Sequence, residues 1–488
     1  MINPRSQPQT NIRKAVHLNH RFFFGVLFFA LSLSSCHLPV EEHTPEDSSR
    51  VAELETPISE VTTLSAEDND HFDALLKPES IPENALPVEV LIYRGAFRLP
   101  EDSGGMGWEY SGHGMTYFPT GDPYGEEDGF TGSLFIVGHD QQLWVGEVTI
   151  PVPVISRNPE ELPVAQTLQE LADITGGTLT EEWVLPRMGI EYLPSLGDMS
   201  EGKIHFTIGQ HIQYFEPSHG WAATELDSTE LAGLWLMDGF TNYATNDYLF
   251  TIPESWSVAY APGYRLASGR FREGVWGGLG PALFAYAPWL DGNPPPNDYE
   301  LEHVIPLLLY GQQMEGLPEL VVDDSMRMHG YATSDHWWGG AWLTSPVGEA
   351  VIFTGTKALG KSWYGFANGV VWDYACTEDP EIDCPEIPEY PYDNRGFWAE
   401  GYKPAILFFD PEDLGKVAKA EMAPYEPQPY ALMDLTEYWY DPQTHVENYK
   451  RDLVGAAAFD RNRGLLYIVE RLGDAYKSVI HVFQIGLE

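Results

Sequence analysis

From residue 88 to the end, short runs of apolar residues are broken every few positions by Gly, Pro, Asp and Asn. Runs of four to eight such residues bounded by turn formers read as strands. The runs also repeat. HGMTYFPTGD with GSLFIVGHD, in residues 113–140, is echoed by MGIEYLPSLGD with GKIHFTIGQH, in residues 188–211. Both give a Gly, an apolar residue, a Tyr and a Pro, then a Gly-Asp turn and an apolar strand ending near a His. A third unit reads DYLFTIPESW, YRLASGRF, PALFAYAPW and HVIPLLLYG, within 247–311. A fourth reads GGAWLTS, AVIFTGTK, KPAILFFDP and YALMDL, within 339–435. The last, within 454–485, reads VGAAAFD, GLLYIVER and SVIHVFQI and supplies three strands only.

Repeated units of three or four short strands point to a propeller, a sandwich or a barrel. The short last unit selects the propeller. VEVLIYRGAFRL, residues 88–99, alternates like a strand and can complete that unit, closing a ring by pairing the two chain ends. The sequence therefore predicts an all-β domain over 88–488, a single propeller of five blades, with six as the alternative if residues 212–246 hide another unit. Two amphipathic helices are expected, VAQTLQELADI at 164–174 and PEDLGKVAKAEM at 411–422. None of the short signatures that mark propeller families is present.

The amino terminus has a different pattern. Arg5, Arg13, Lys14 and Arg21 precede FFFGVLFFALSLSS, residues 22–35, with no acid before Cys36. The apolar run is shorter than the roughly 20 residues a spanning helix needs and fits the core of an export signal. It closes on Leu33-Ser34-Ser35-Cys36, which resembles the bacterial lipobox. That resemblance implies residues 1–35 as a lipoprotein signal peptide, cleavage before Cys36, and lipid on its thiol and new amino group. His at position 37, where Asp favours inner-membrane retention, implies the outer membrane. Residues 36–87 carry many acids, only Arg50 and Lys77 as bases, and scattered Pro, Ser and Thr, so a lipidated flexible tether is expected. As a whole the chain resembles uncharacterised bacterial lipoproteins with propeller domains, a likeness that transfers no catalytic motif.

Charge narrows the partners. Asp and Glu number 73 against 27 Lys and Arg, a formal charge of −46, and losing the signal peptide's four bases takes it to −50. Such a chain repels phosphate backbones, so nucleic acid is excluded as a partner and the membrane is reached through lipid alone. Of three cysteines, Cys36 is the lipid site; Cys376 and Cys384, eight residues apart, are expected to form a disulfide outside the cytoplasm. Glu378, Asp379, Glu381 and Asp383 between them could hold calcium, although they lack EF-hand spacing.

By analogy with other propellers, ligands meet one channel face, lined by loops entering each inner strand and loops leaving each second strand. Here these loops supply His113, His139, Asp140, Arg187, His211, Arg270, Asp335, His336, Trp337 and Lys357, with Glu470 and Arg471 beside them. Three chemistries fit. His113, His139 and His211 with a carboxylate suit zinc, but no local metal-binding spacing supports them. Asp140, Asp335 and Glu470 could supply the carboxylate pair of a glycoside hydrolase. Five-bladed glycosidases, however, place a basic Asp where His113 stands. A binding rim for a glycan or protein partner needs only contact area and rigidity, and Tyr331, Trp337, Trp338, Trp342, Trp363 and Tyr364 offer stacking faces. Binding is the leading expectation and propeller hydrolysis the alternative.

Overall fold

The computed structural model describes residues 80–486 except 126–129, 180–186, 197–200, 210–215, 271–277, 315–319, 374–375, 377–383 and 445. Five antiparallel sheets follow one another along the chain as the blades of a propeller. Blade one is Met115–Phe118, Ser133–Val137, Val145–Thr149 and Thr167–Ala172. Blade two is Ile190–Leu193, Lys203–Thr207, His219–Ala222 and Leu231–Met237, with Glu300–Leu301 added in parallel at its edge. Blade three is Tyr248–Thr251, Leu266–Gly269, Leu283–Tyr286 and Val304–Leu308. Blade four is His336–Ser345, Gly348–Gly365, Gly396–Phe409 and Ala431–Asp434. Blade five is Val454–Asp460, Leu465–Asp474 and Lys477–Ile485, completed by Leu91–Arg98 from the amino terminus.

Alternate residues of a strand point to opposite faces, and in a propeller both faces meet a neighbouring blade. The blades therefore read as apolar on both faces, and the core divides into wedges between blades. Phe135, Ile190 and Phe206 fill the gap between blades one and two. Trp235 and Phe284 fill the next. Trp337, Trp342 and Phe353 pack against Tyr248 between blades three and four. Ile406 and Phe408 meet Leu466 and Phe483 between four and five, and Leu134 and Ile136 meet Tyr467 and Val482 between five and one. Burying a side chain of this size contributes about 1.5–3 kcal/mol.

Ring closure follows the sequence expectation, with Leu91 opposite Ile485, Phe97 opposite Ile480 and Arg98 opposite Val479. A buried polar chain reinforces it. The Tyr93 hydroxyl on the closing strand meets His481 Nδ1 at 3.0 Å, and His481 Nε2 meets Glu470 Oε2 at 2.7 Å. Glu470 also accepts from the backbone N–H groups of Tyr440, at 2.8 and 3.0 Å, and Asp441, at 2.7 Å. The indole of Trp439 lies parallel over His481 at 4.4 Å. A strap from blade one crosses the closing strand at Gly95, where φ is +116° and a Cβ would stand 2.5 Å from the Val154 carbonyl carbon. No other residue fits there.

Five blades are present, and two expectations are corrected. The described residues 216–246, where a sixth blade was the alternative, hold the outer strands of blade two and a short helix, Asn242–Thr245. The amphipathic helix expected at 164–174 is the outer strand Thr167–Ala172, whose pairing with Val145–Thr149 is twice irregular. Val164, Leu168, Leu171 and Ile174 recur at helical spacing in the sequence, but Val164 and Leu168 are exposed, and along the strand Thr167, Gln169 and Leu171 alternate inward as strand residues do. The tether expected through residue 87 is already packed at Ala85 and Leu86, with Leu86 N–H on the Glu349 carbonyl at 2.9 Å. The second helix forms as Pro411–Ala418, capped by Asp410. Cys376 and Cys384 are disulfide-bonded, with Cα atoms 5.6 Å apart.

Deleting residues 88–99 should leave Lys477–Ile485 as an open apolar edge, and size-exclusion chromatography should show aggregation. A monomeric deletion variant with wild-type melting would contradict closure by this strand.

Candidate functional site

Inner strands begin, and second strands end, at the same mouth of the channel, and the polar residues singled out in the sequence gather there in pairs. In blade three, Arg270 Nε lies 3.3 Å from Asp247 Oδ2, both buried. In blade four, Lys357 Nζ lies 2.7 and 3.0 Å from the two oxygens of Asp335. In blade one the order reverses, and His113 Nε2 lies 2.9 Å from Asp140 Oδ1. Blade five places Arg471 at the equivalent position and sends it across to blade one. It donates to both Asp140 oxygens at 3.0 and 2.9 Å and to the Tyr110 and Ser111 carbonyls at 3.2 and 3.3 Å. His336 of blade four reaches Asp452 of blade five at 2.8 Å.

Trp338 occupies the axis. Arg187 of blade two lies 3.7 Å above its ring. His113 and His336 stand against it at 4.8 and 5.4 Å. Below them the inner strands enclose a cavity of about 10 Å³ lined by His113, Trp338, Gly189, Tyr248 and Ala457. That is room for about one water molecule.

Burial opposes ionisation of Asp140, yet Arg471 and His113 outweigh it and hold the carboxyl below the usual range. Asp452 is likewise buried, and His336 with Arg451 and Arg471 brings it down to about 2. Burial pushes His113 down, with the nearby Arg471 adding to the effect. Asp335 is pushed up by burial against the pull of Lys357, and it accepts two backbone N–H groups, Ala358 at 2.8 Å and Ala332 at 3.1 Å.

The sequence placed His113, Asp140, Arg187, Arg270, Asp335, His336 and Lys357 at one mouth, and the structure brings them to that mouth. His139 is there too, half-buried, its Nδ1 accepting from the Gln141 N–H at 3.1 Å. Glu470 is not on the rim, because its side chain turns into the blade-five closure and is filled by His481 and two backbone donors. Trp337 is core, fully buried with Trp342 and Tyr331 between blades three and four; its neighbour Trp338 is the tryptophan at the mouth. His211, and the acids Glu378, Asp379, Glu381 and Asp383, lie outside the described residues. Among the described residues, no three His, Cys, Asp or Glu side chains are placed together to hold a metal ion.

Sequence reading missed the layer above. Tyr110, held at φ +56°, packs against His139, Tyr449 and Tyr476 at centroid distances of 5.4, 5.4 and 5.6 Å. The second and third strands of blade four run on past their neighbours into an arm whose described residues include the disulfide-bonded Cys376 and Cys384 and Tyr390. Tyr390 is near enough to Tyr110 to oppose its ionisation, after burial and Tyr476. Tyr390 is 79 % exposed and Tyr476 48 %. These tyrosines come from four separate connections, so no sequence spacing announces them.

Further along the channel, Glu191 and Arg461 link neighbouring blades. Glu191 of blade two accepts from Thr116 Oγ1 of blade one at 2.7 Å and from Thr251 N–H of blade three at 3.0 Å. Arg461 of blade five donates to Trp342 O of blade four at 2.9 Å and to Thr251 Oγ1 at 3.2 Å. Burial pushes the Glu191 carboxyl up to about 7 despite those hydrogen bonds.

Compared with protein-family models and with curated proteins, the chain finds no match at a significant level.

Two outcomes follow from these contacts. Asp335→Asn should strand Lys357 without its counter-charge and cost about 3–5 kcal/mol, read as a lower urea midpoint; a carboxylate kept only for chemistry would leave that midpoint in place. Glu191 has a folded value above its unfolded one of 4.5, so its contribution is whole below about pH 4.5 and is lost as pH rises through about 7. Melting temperature should therefore fall more steeply over that interval in the wild type than in Glu191→Gln. Equal slopes would remove Glu191 as the cause.

Proposed function

We propose that this chain is a lipid-anchored protein of the bacterial envelope whose propeller captures a ligand at the channel mouth without turning it over. The observation that carries the reading is how the rim carboxylates are used. Asp335 accepts from Lys357 and two backbone N–H groups, and Asp140 from Arg471 with His113 beside it. A general acid or nucleophile needs a carboxyl that faces substrate with spare hydrogen-bonding capacity. Outward of these pairs stand tyrosine rings held in place by packing, which supply contact area at small entropic cost. The chemistry of the rim is that of a rigid platform.

The anchor rests on the amino-terminal residues: four bases, a short apolar run and Leu33-Ser34-Ser35-Cys36. With His37 following, outer-membrane placement is the reading adopted, with the acidic stretch after it as tether.

Two experiments test this. Cys36→Ser should abolish incorporation of a fatty-acid analogue and block signal-peptide removal; unchanged labelling would sink the anchor. For the rim, the mature protein should be screened against arrayed oligosaccharides and peptides. Binders should lose about tenfold affinity in Tyr110→Ala, with no product released. Product release that disappears in Asp140→Asn, with melting unchanged, would establish the hydrolase alternative in its place.

A further inference from the structure

The cations at this mouth are spent internally. Arg471 is 2 % exposed and bound to Asp140, Lys357 2 % and bound to Asp335, and Arg187 8 % and laid on Trp338. What faces outward is different. On the arm Glu386, Glu389 and Asp393 stand exposed around Tyr390, while the exposed Arg395 leans over Trp372 at 4.9 Å.

The rings here already act as seats for cations. Arg187 lies over Trp338 at 3.7 Å, Arg451 over Trp398 at 4.4 Å and Arg471 over Tyr449 at 5.5 Å. Each covers a ring from within the protein, all inside the distance of about 6 Å at which the negative face of an aromatic ring attracts a positive charge. Tyr390 and Tyr476 offer the same kind of face to solvent. The field around them has the matching sign. The exposed carboxylates of Glu386, Glu389 and Asp393 flank Tyr390 along the chain. Over longer range, a chain of −46 draws positive ligands and repels polyanions.

We propose that the tyrosine shelf takes a cationic ligand, namely a segment of a partner protein that presents Lys or Arg side chains to Tyr110, Tyr390 and Tyr476. This rests on the capture reading and narrows it from any ligand to a basic one. The ring faces select for a cation, and the surrounding carboxylates exclude acidic peptides and anionic glycans.

Calorimetry with the mature protein tests it, using oligolysine, oligoarginine and a set of neutral oligosaccharides as probes. Two proteins are compared, the wild type and Tyr390→Leu combined with Tyr476→Leu, which keeps charge and apolar bulk but removes the ring faces. Both positions are exposed, so the variant folds, and its melting curve verifies this. The expected result is binding of oligoarginine, weakened about tenfold in the variant and weakened again by added salt. Equal oligoarginine binding by both proteins would reduce the effect to bulk charge and overturn the proposal. Neutral oligosaccharides bound in a tyrosine-dependent manner, with no oligoarginine bound, would overturn it while leaving the capture reading intact. No tyrosine-dependent binding of any probe would sink both.

Discussion

The fold depends on one pairing made last in space and first in sequence: Leu91–Arg98 against Lys477–Ile485. A ring of wedges has no core until the first and last wedge meet, because each blade buries its faces only against neighbours. The contact joins residues almost 400 positions apart, such as Tyr93 and His481. Its closure entropy is therefore large and must be repaid by what it buries. That explains the concentration of specific interactions there: an eight-residue strand, a buried Tyr–His–Glu chain, a tryptophan stacked on the histidine, and a strap over Gly95. A carboxylate as buried as Glu470 is tolerable because its oxygens are filled by a histidine and two backbone donors.

The same logic of filled valences governs the channel mouth. Blades three and four pair an acid before the inner strand with a base on the second strand, and in blade one a histidine and an aspartate take the opposite order. Arg471 and His336 carry pairs across blade boundaries and so turn local turns into a belt. Buried pairs of this kind add little net stability over apolar packing but are costly to break, which makes them better at fixing register than at strengthening the fold. A mouth held that rigidly presents the tyrosines above it in one arrangement.

The sequence made the blades legible because each strand is short, apolar and bounded by turn residues. The deficit of one strand in the last unit is itself the mark of closure by the amino-terminal strand. Blade two was only half read, since His219–Ala222 and Leu231–Met237 are separated by a turn without a clear repeat signature and contain Gly220 and Gly233. The strand Thr167–Ala172 was misread because its apolar residues, Val164, Leu168, Leu171 and Ile174, fall at helical spacing although Val164 and Leu168 face solvent. At the site, end-of-strand logic located His113, Asp140, Arg187, Asp335 and Lys357, since topology alone fixes which strand ends share a mouth. It could not tell Trp337 from Trp338. One points between blades and its neighbour to the axis, and a bulge between Trp337 and Gly339 sets which is which. Tyr110, Tyr390 and Tyr476 were invisible because their proximity comes from an arm and turns that carry no periodicity.

Ahead of the closing strand, Leu86 is buried against blade four, its N–H on Glu349 O and its carbonyl taking the Tyr430 hydroxyl at 2.7 Å. The chain thus engages blade four before it enters blade five. A pull on the chain at residue 80 therefore meets the Leu86 contacts on blade four before it reaches Leu91–Arg98, so the few residues around Leu86 act as a strain relief for the joint that keeps the ring shut.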